Sequence, residues 1–303
     1  DQMLVRRLQD GDPGGHMRRA LDRFPVRAIA ERIWSRYFLP AGKAPSAPYP
    51  ELAMPAIGAG PEQNELYVVA NFVEVTLARE GHDGPVGINY LEKIQTPHLA
   101  SMYGAMLAGV SVVLMGAGIP LKVPGALDRL AEHQVATYPV VVHGAQPGDE
   151  HVVTFDPRTI LPEPAAPLTR PAFLAIISSD VLALPLTRKA NGRVDGFIVE
   201  GPTAGGHNAP PRGKLQLSEA GEPVYGERDR VDLAKLAALG LPFWLAGGYG
   251  APGKLDEALA LGAAGVQVGT AFALSTDSGM RADYRRAVLA DVAAGTARGF
   301  TDP

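Results

Sequence analysis

The stretch EGPTAGGHNAPPRG, Glu200 to Gly213, holds four glycines, three prolines and one histidine directly after the apolar run DGFIV. A plain connection needs only a few polar turn residues, so this composition points to a working loop. Gly205 and Gly206 let backbone come close to a flat ligand with no side chain in the way. Pro210 and Pro211 stiffen the return path, which holds His207 where it can donate or accept a proton. A single histidine is more often structural, and the rigid glycine-rich loop is what moves His207 towards chemistry. His143 has no such loop and reads as structural. Glu200, at the end of the apolar run, admits two roles. It could orient a bound ring or His207, or it could close a salt bridge with Arg212 or Lys214.

Two further groups share the same logic. GGYG (Gly247 to Gly250) and GT (Gly269 and Thr270) each end an apolar run. Backbone N–H groups there can approach an anion unobstructed, and Thr270 adds a hydroxyl. One glycine loop alone would be explained by a tight corner; two together favour the phosphate of a cofactor. HDG (His82 to Gly84) precedes its apolar run and therefore lies at the opposite, stabilising end.

Absences narrow the chemistry further. The chain has no cysteine, which removes disulfides, iron–sulfur ligation, thiolate zinc sites and cysteine nucleophiles. Its seven histidines form no HxH or HxxxH pair beside a carboxylate, so no local metal motif is read. A net charge of −4 with both signs interspersed offers no broad basic surface for nucleic acid or anionic lipid. Small molecules are the expected partners. No run approaches the roughly 18 apolar residues that span a bilayer, and DQMLVRRLQD carries no apolar signal region, so a cytoplasmic location is expected.

The elements that must position these groups are legible as a pattern. Seven short apolar runs recur from Gly84 onwards: PVGIN, SVVLMG, YPVVVHG, AFLAIISS, DGFIVEG, PFWLAGG and AGVQVGT. They lack polar alternation, as parallel strands buried on both faces do. Between them lie helices with readable ends. Thr96 and Pro97 start one on which Leu99, Met102 and Met106 share a face and Gly109 is the stop. Leu255, Ala258 and Leu259 form the stripe of another that ends at Gly262. With a weak run at Ala53 to Ile57 the strands number eight, which favours an α/β fold of the (β/α)8 TIM-barrel type over an open sheet. Pro185 requires the helix after AFLAIISS to be kinked or to start late. The arginine-rich N-terminus, with Ile29, Ile33, Trp34 and Phe38 at helical spacing, reads as a helical extension and linker over residues 1–50, followed by a barrel domain over 51–303. In that barrel Asn89 to Gln95, Gly116 to Pro120, Ser178 and Ser179 also follow strands and face the mouth.

DGFIVEGPTAGGHNAPPRG resembles the glycine-glycine-histidine motif of the nitronate monooxygenases, and of the related flavin-dependent enoyl-acyl carrier protein reductases. PFWLAGGYG and ALALGAAGVQVGTAF resemble that family's two phosphate loops, in the same order, and the likeness runs from about Gly84 to Leu274. The resemblance implies an FMN-binding barrel. Gly247, Gly248, Gly269 and Thr270 would hold the FMN phosphate, with Gln267 close by, and Asn89 and Gly206 would flank the flavin. His207 would take the place of the catalytic histidine. The implied activity is oxidation of nitronates with molecular oxygen; the alternatives are an enoyl reductase drawing on NAD(P)H and a flavin-binding module without turnover. The family's usual first-strand motif is not evident, which bears on the substrate pocket more than on the flavin site.

Overall fold

The computed structural model of the chain describes residues 1–146, 148–164, 166–204 and 209–299. They divide into two compact units. The first comprises Asp1–Phe173 with Ala190–Arg193, and the second comprises Leu174–Lys189 with Val194 onwards.

Three helices open the first unit: α1 (Gln2–Gln9), α2 (His16–Leu21) and α3 (Arg27–Tyr37). Asp12 caps α2, its carboxylate oxygens accepting from the Met17 and Arg18 N–H groups at 2.9 Å each. Those are donors that a first helical turn leaves open. Ile29 and Ile33 are buried on α3, while Trp34 and Phe38 stack with ring centroids 3.9 Å apart. Several arginines of this region form ion pairs: Arg18 with Asp22 and Glu31, Arg19 with Glu80, Arg36 with Glu62.

The run Ala53 to Ile57 forms no strand. The chain turns helical at Pro61, whose missing N–H suits a first helical position. The resulting α4 (Pro61–Ala78) buries Leu66, Val68, Val69 and Val73, and it packs on α5 (His98–Leu107). Leu99, Met102 and Met106 of α5 are all buried, and Gly109 ends the helix at φ +76°. Between α4 and α5 in sequence runs β1 (Gly87–Leu91), parallel to β2 (Val112–Gly116) with Asn89 opposite Leu114. After α6 (Val123–Ala131) the expectation of another parallel strand fails. YPVVVHG contributes only to β3 (Ala136–Pro139), which pairs antiparallel with β4 (Val152–Phe155) as a separate ribbon. Pro139 has no N–H to give a central ladder. Val141 and Val142 beyond it are exposed rather than buried on both faces.

The second unit follows the sequence more closely. It holds β5 (Ala172–Ile177), α7 (Asp180–Lys189), β6 (Gly196–Glu200), α8 (Leu233–Ala237), β7 (Phe243–Ala246), α9 (Lys254–Ala260), β8 (Gly265–Gln267), α10 (Thr270–Ala273) and α11 (Ala282–Ala294). Strands β5, β6, β7 and β8 are parallel and adjacent in that order. Phe197, Ile198, Val199, Phe243 and Leu245 are buried, as apolar runs without alternation require. Helix α7 starts at Asp180 and carries Pro185 within it; Ser179 Oγ accepts from the Val181 N–H at 3.2 Å. On α9 only Ala258 is buried and the expected companions Leu255 and Leu259 are about half exposed. The fold is thus α/β with parallel strands. Of the eight parallel strands expected for a barrel, six are formed among the described residues, two in the first unit and four in the second.

Candidate functional site

The strand register of the second unit sets three residues in one row. Glu200 is opposite Ala246, and Ala246 is opposite Gln267. Neighbours in register on parallel strands send their side chains to one face, so Glu200 and Gln267 share a face about 10 Å apart with a small residue between them. The row is the last of each strand, and the glycine loops begin immediately beyond it.

Those loops meet. Gly247 and Gly248 have φ of +93° and +77°, the left-handed region that favours glycine. A β-carbon on Gly247 would lie 2.8 Å from the Ala204 backbone nitrogen, so packing inside the chain already demands a glycine there. At Gly248 the nearest atom would be Thr203 Oγ1 at 3.4 Å. A β-carbon on Gly250 would lie 3.1 Å from Val268 Cγ1 and 3.6 Å from Ala271 Cβ, which places the 247–250 loop against the segment starting α10. Gly269 differs from all of these. Its φ is −113°, an ordinary value, and a β-carbon on it would meet nothing within 4 Å. No strain or crowding within the described chain accounts for a glycine at that position.

Glu200 is half-buried, and among the described residues no hydrogen bond or ion pair holds its carboxylate. The salt bridge to Arg212 or Lys214 is not formed; the Arg212 backbone N–H instead donates to Asp229 Oδ1 at 2.7 Å. Asp229 also accepts from the Gly226 N–H at 2.7 Å, and these two donors hold its carboxyl below the usual range. Beside Glu200 lies a hollow of about 20 Å³, walled in part by Ser178, Pro210, Tyr225 and Asp229. That is room for about one water. Tyr225 closes it by donating its hydroxyl hydrogen to the Ala209 carbonyl at 3.0 Å. Thr203, Tyr225 and Asp229 were not singled out in the sequence, because each is a lone polar residue in a connection with no periodic or spacing signal.

Burial raises the Glu200 carboxyl above its ordinary value. The native state therefore holds this proton more tightly than the unfolded chain does, and stability falls as pH rises from the unfolded value through the raised folded one. Glu200→Gln is expected to leave thermal stability unchanged near about pH 4 and to raise it near about pH 8. Melting curves at both values check this, and an equal shift at both would contradict it.

Gly205, Gly206 and His207 lie outside the described residues. Asn89 belongs to the first unit, in the middle of β1 rather than after it, and is exposed. His143 is an exposed turn residue. The first unit also contains a polar cluster that sequence reasoning missed. Glu92 Oε1 accepts from the Tyr138 hydroxyl at 2.9 Å and from Gln95 Nε2 at 3.0 Å, while Gln95 Oε1 accepts from the Val141 N–H at 2.8 Å. His98 packs edge-on to Tyr138 and bonds the Leu91 carbonyl through Nε2 at 2.9 Å, and burial lowers its pKa.

Comparison with known proteins bears on the site-bearing half of the chain. The family model described as nitronate monooxygenase matches residues 169–297. This part of the chain is similar to the nitronate monooxygenase family. A curated nitronate monooxygenase from Pseudomonas aeruginosa is 41% identical over 104 residues, covering 34% of this chain and 28% of that protein. Among solved structures, a mutant of FabK from Thermotoga maritima aligns with a TM-score of 0.46 at 21% identity, over 77% of this chain and 57% of the other. The chain therefore spans little more than a quarter of the curated relative it matches. The nitronate monooxygenase match includes Glu200, both glycine loops and the segment containing His207; it does not reach Asn89. No helix among the described residues is long and apolar enough to cross a membrane.

Proposed function

We propose that this chain is an FMN-dependent oxidoreductase acting on small molecules, and that its reaction is the oxidation of alkyl nitronates with molecular oxygen. The observation that supports this most directly is Gly269. Its backbone is unstrained and, among the described residues, nothing crowds it, so its N–H is open to a group approaching from solvent. It adjoins a second glycine loop whose Gly248 is also nearly uncrowded. Backbone N–H groups of Gly248 and Gly269 with the Thr270 hydroxyl make a donor set that fits a terminal phosphate. Gln267 and Glu200 offer polar groups one row below. The family resemblance adds Gly205 and Gly206 beside the ring.

FMN, once bound, supplies the electron transfer between substrate and oxygen. The work left to the chain is placement and proton handling. Burial makes the Glu200 carboxyl hold its proton more tightly than an ordinary carboxyl does, and its oxygens face the same side as Gln267. His207, on its glycine-rich loop, takes the substrate proton when the substrate arrives as a neutral nitroalkane.

The purified protein is expected to release FMN, not FAD, on denaturation, because no GxGxxG dinucleotide fingerprint follows an early strand. Gly248→Val is expected to abolish flavin retention. A branched side chain at φ +77° is strained, and it occupies the space the phosphate needs. Flavin content by absorbance after gel filtration measures this; wild-type content in the variant refutes the placement. Anaerobic mixing with propionate 3-nitronate and, separately, with NADPH tests the reaction. Bleaching by the nitronate supports the proposal, whereas rapid bleaching by NADPH without substrate assigns the chain to enoyl reduction instead.

A further inference from the structure

The hollow beside Glu200 is walled by both ends of one loop. Glu200 and Pro202 line it where the chain leaves β6, and Ala209, Pro210 and Arg212 line it where the chain comes back. The outgoing end is fixed on the neighbouring strand: the Gly201 N–H donates to the Ala246 carbonyl at 3.0 Å, and the Ala204 N–H to the Gly201 carbonyl at 3.0 Å. The returning end, residues 209–212, lies in no strand or helix. It is held from further along the chain. Residues 216–224 fold back on themselves, the Ser218 N–H donating to the Glu222 carbonyl at 2.7 Å and the Val224 N–H to the Gln216 carbonyl at 2.9 Å, with Leu217 bridged to Pro223. This hairpin brings Tyr225 and Asp229 against the returning end. The Tyr225 hydroxyl donates to the Ala209 carbonyl at 3.0 Å. Asp229 Oδ1 accepts from the Arg212 N–H at 2.7 Å, across 17 positions of sequence, while Oδ2 accepts from the Gly226 N–H at 2.7 Å. One carboxylate thus ties two backbone segments together through charge-assisted bonds, which are roughly twice as strong as neutral ones.

We infer that Tyr225 and Asp229 are positioning residues of this site: they clasp residues 209–212 beside the Glu200 carboxyl, keep water from it, and fix the downstream end of the loop that carries His207. His207 stands two residues before Ala209 in the sequence and lies outside the described residues; the segment that follows it does not. Slack at Ala209 passes along the chain to a group whose rate depends on alignment. The role in turnover rests on the flavin chemistry proposed above, whereas the clasp over Glu200 stands without it.

The test compares Tyr225→Phe, Asp229→Ala and Asp229→Asn with the wild-type chain in three measurements. The first is titration of the Glu200 carboxyl by carbon NMR of glutamate-labelled protein, its signal assigned by its loss in Glu200→Gln. The midpoint is expected to fall towards the ordinary carboxyl value in Tyr225→Phe, which changes no charge, and further in Asp229→Ala than in Asp229→Asn, whose amide oxygen still accepts one N–H. Equal falls in the two Asp229 variants with none in Tyr225→Phe would mean that only the Asp229 charge acts on Glu200, which overturns the clasp. The second is the rate of trypsin cleavage after Arg212, followed by mass spectrometry and expected to rise about tenfold in Asp229→Ala as the returning end opens locally. An unchanged rate overturns the clasp as well. The third is steady-state turnover of a nitronate. Flavin content and KM should stay within about twofold of wild type while kcat falls about tenfold in Asp229→Ala and less in Asp229→Asn. Wild-type kcat in Asp229→Ala overturns the positioning role. A wild-type chain that binds no flavin refutes the flavin chemistry and the role in turnover with it, and the titration and cleavage rates still decide the clasp.

Discussion

Gly104→Val is expected to leave little folded protein. Helices α4 and α5 approach so closely that a β-carbon on Gly104 would lie 2.0 Å from the Val68 carbonyl oxygen and 2.7 Å from its carbonyl carbon. Both atoms are backbone inside a buried helix, so no side-chain rotation can relieve the contact. Helix propensity works in the opposite direction, because replacing a mid-helix glycine by alanine gains about 1 kcal/mol. Inserting carbon into a packed core costs about 1–3 kcal/mol where neighbours can shift, and more where they cannot. Packing therefore wins. Gly104→Ala should lose about 3 kcal/mol of stability, and the valine variant, with two further methyl groups, should be recovered mainly as aggregate. Denaturant unfolding of the alanine variant measures the first number; a variant as stable as wild type would mean that α4 and α5 lie further apart than described.

His207→Ala carries the largest expected effect on turnover. Flavin content should stay near the wild-type value, because the phosphate-holding groups proposed here lie on other loops. Turnover should fall about a hundredfold or more, the usual scale for a lost acid–base group. A nitronate already bears its negative charge, whereas a neutral nitroalkane must first give up a proton. The loss should therefore be larger with the nitroalkane, and steady-state rates with both substrates read the difference. Equal losses would assign His207 to positioning or charge stabilisation. Full activity with both would make it structural.

The sequence was most readable where burial on both faces leaves no ambiguity. DGFIVEG, PFWLAGG and AGVQVGT contain the strands β6, β7 and β8, and the glycines beyond the latter two form adjoining loops. YPVVVHG has the same apolar texture, yet Pro139 and the exposed Val141 show that texture alone does not report which ladder a strand joins. Helix α4 was missed for the opposite reason. Its buried residues Leu66 to Ala70 are consecutive, so they run round the helix and leave no stripe for periodicity to detect. At the site, glycine content was legible and its cause was not. Gly247 is required by the Ala204 backbone, Gly269 by nothing within the described chain, and one letter stands for both. The polar walls of the Glu200 hollow come from residues scattered between 178 and 229, which only the folded chain brings together.

The division of the chain at Lys189, with residues 190–193 returning to the first unit, has a consequence for how the protein is made. Asn191 Oδ1 accepts from the Gly125 N–H at 2.9 Å, and the Asn191 N–H donates to the Leu121 carbonyl at 3.1 Å. The start of α6 is therefore incomplete until residue 191 has left the ribosome, by which time β5 and α7 have already been synthesised. An N-terminal domain ordinarily finishes folding before its successor emerges. Here the first unit must wait for part of the second to be translated, and a stop codon placed at the apparent boundary after Phe173 would release a chain lacking one of its own fasteners.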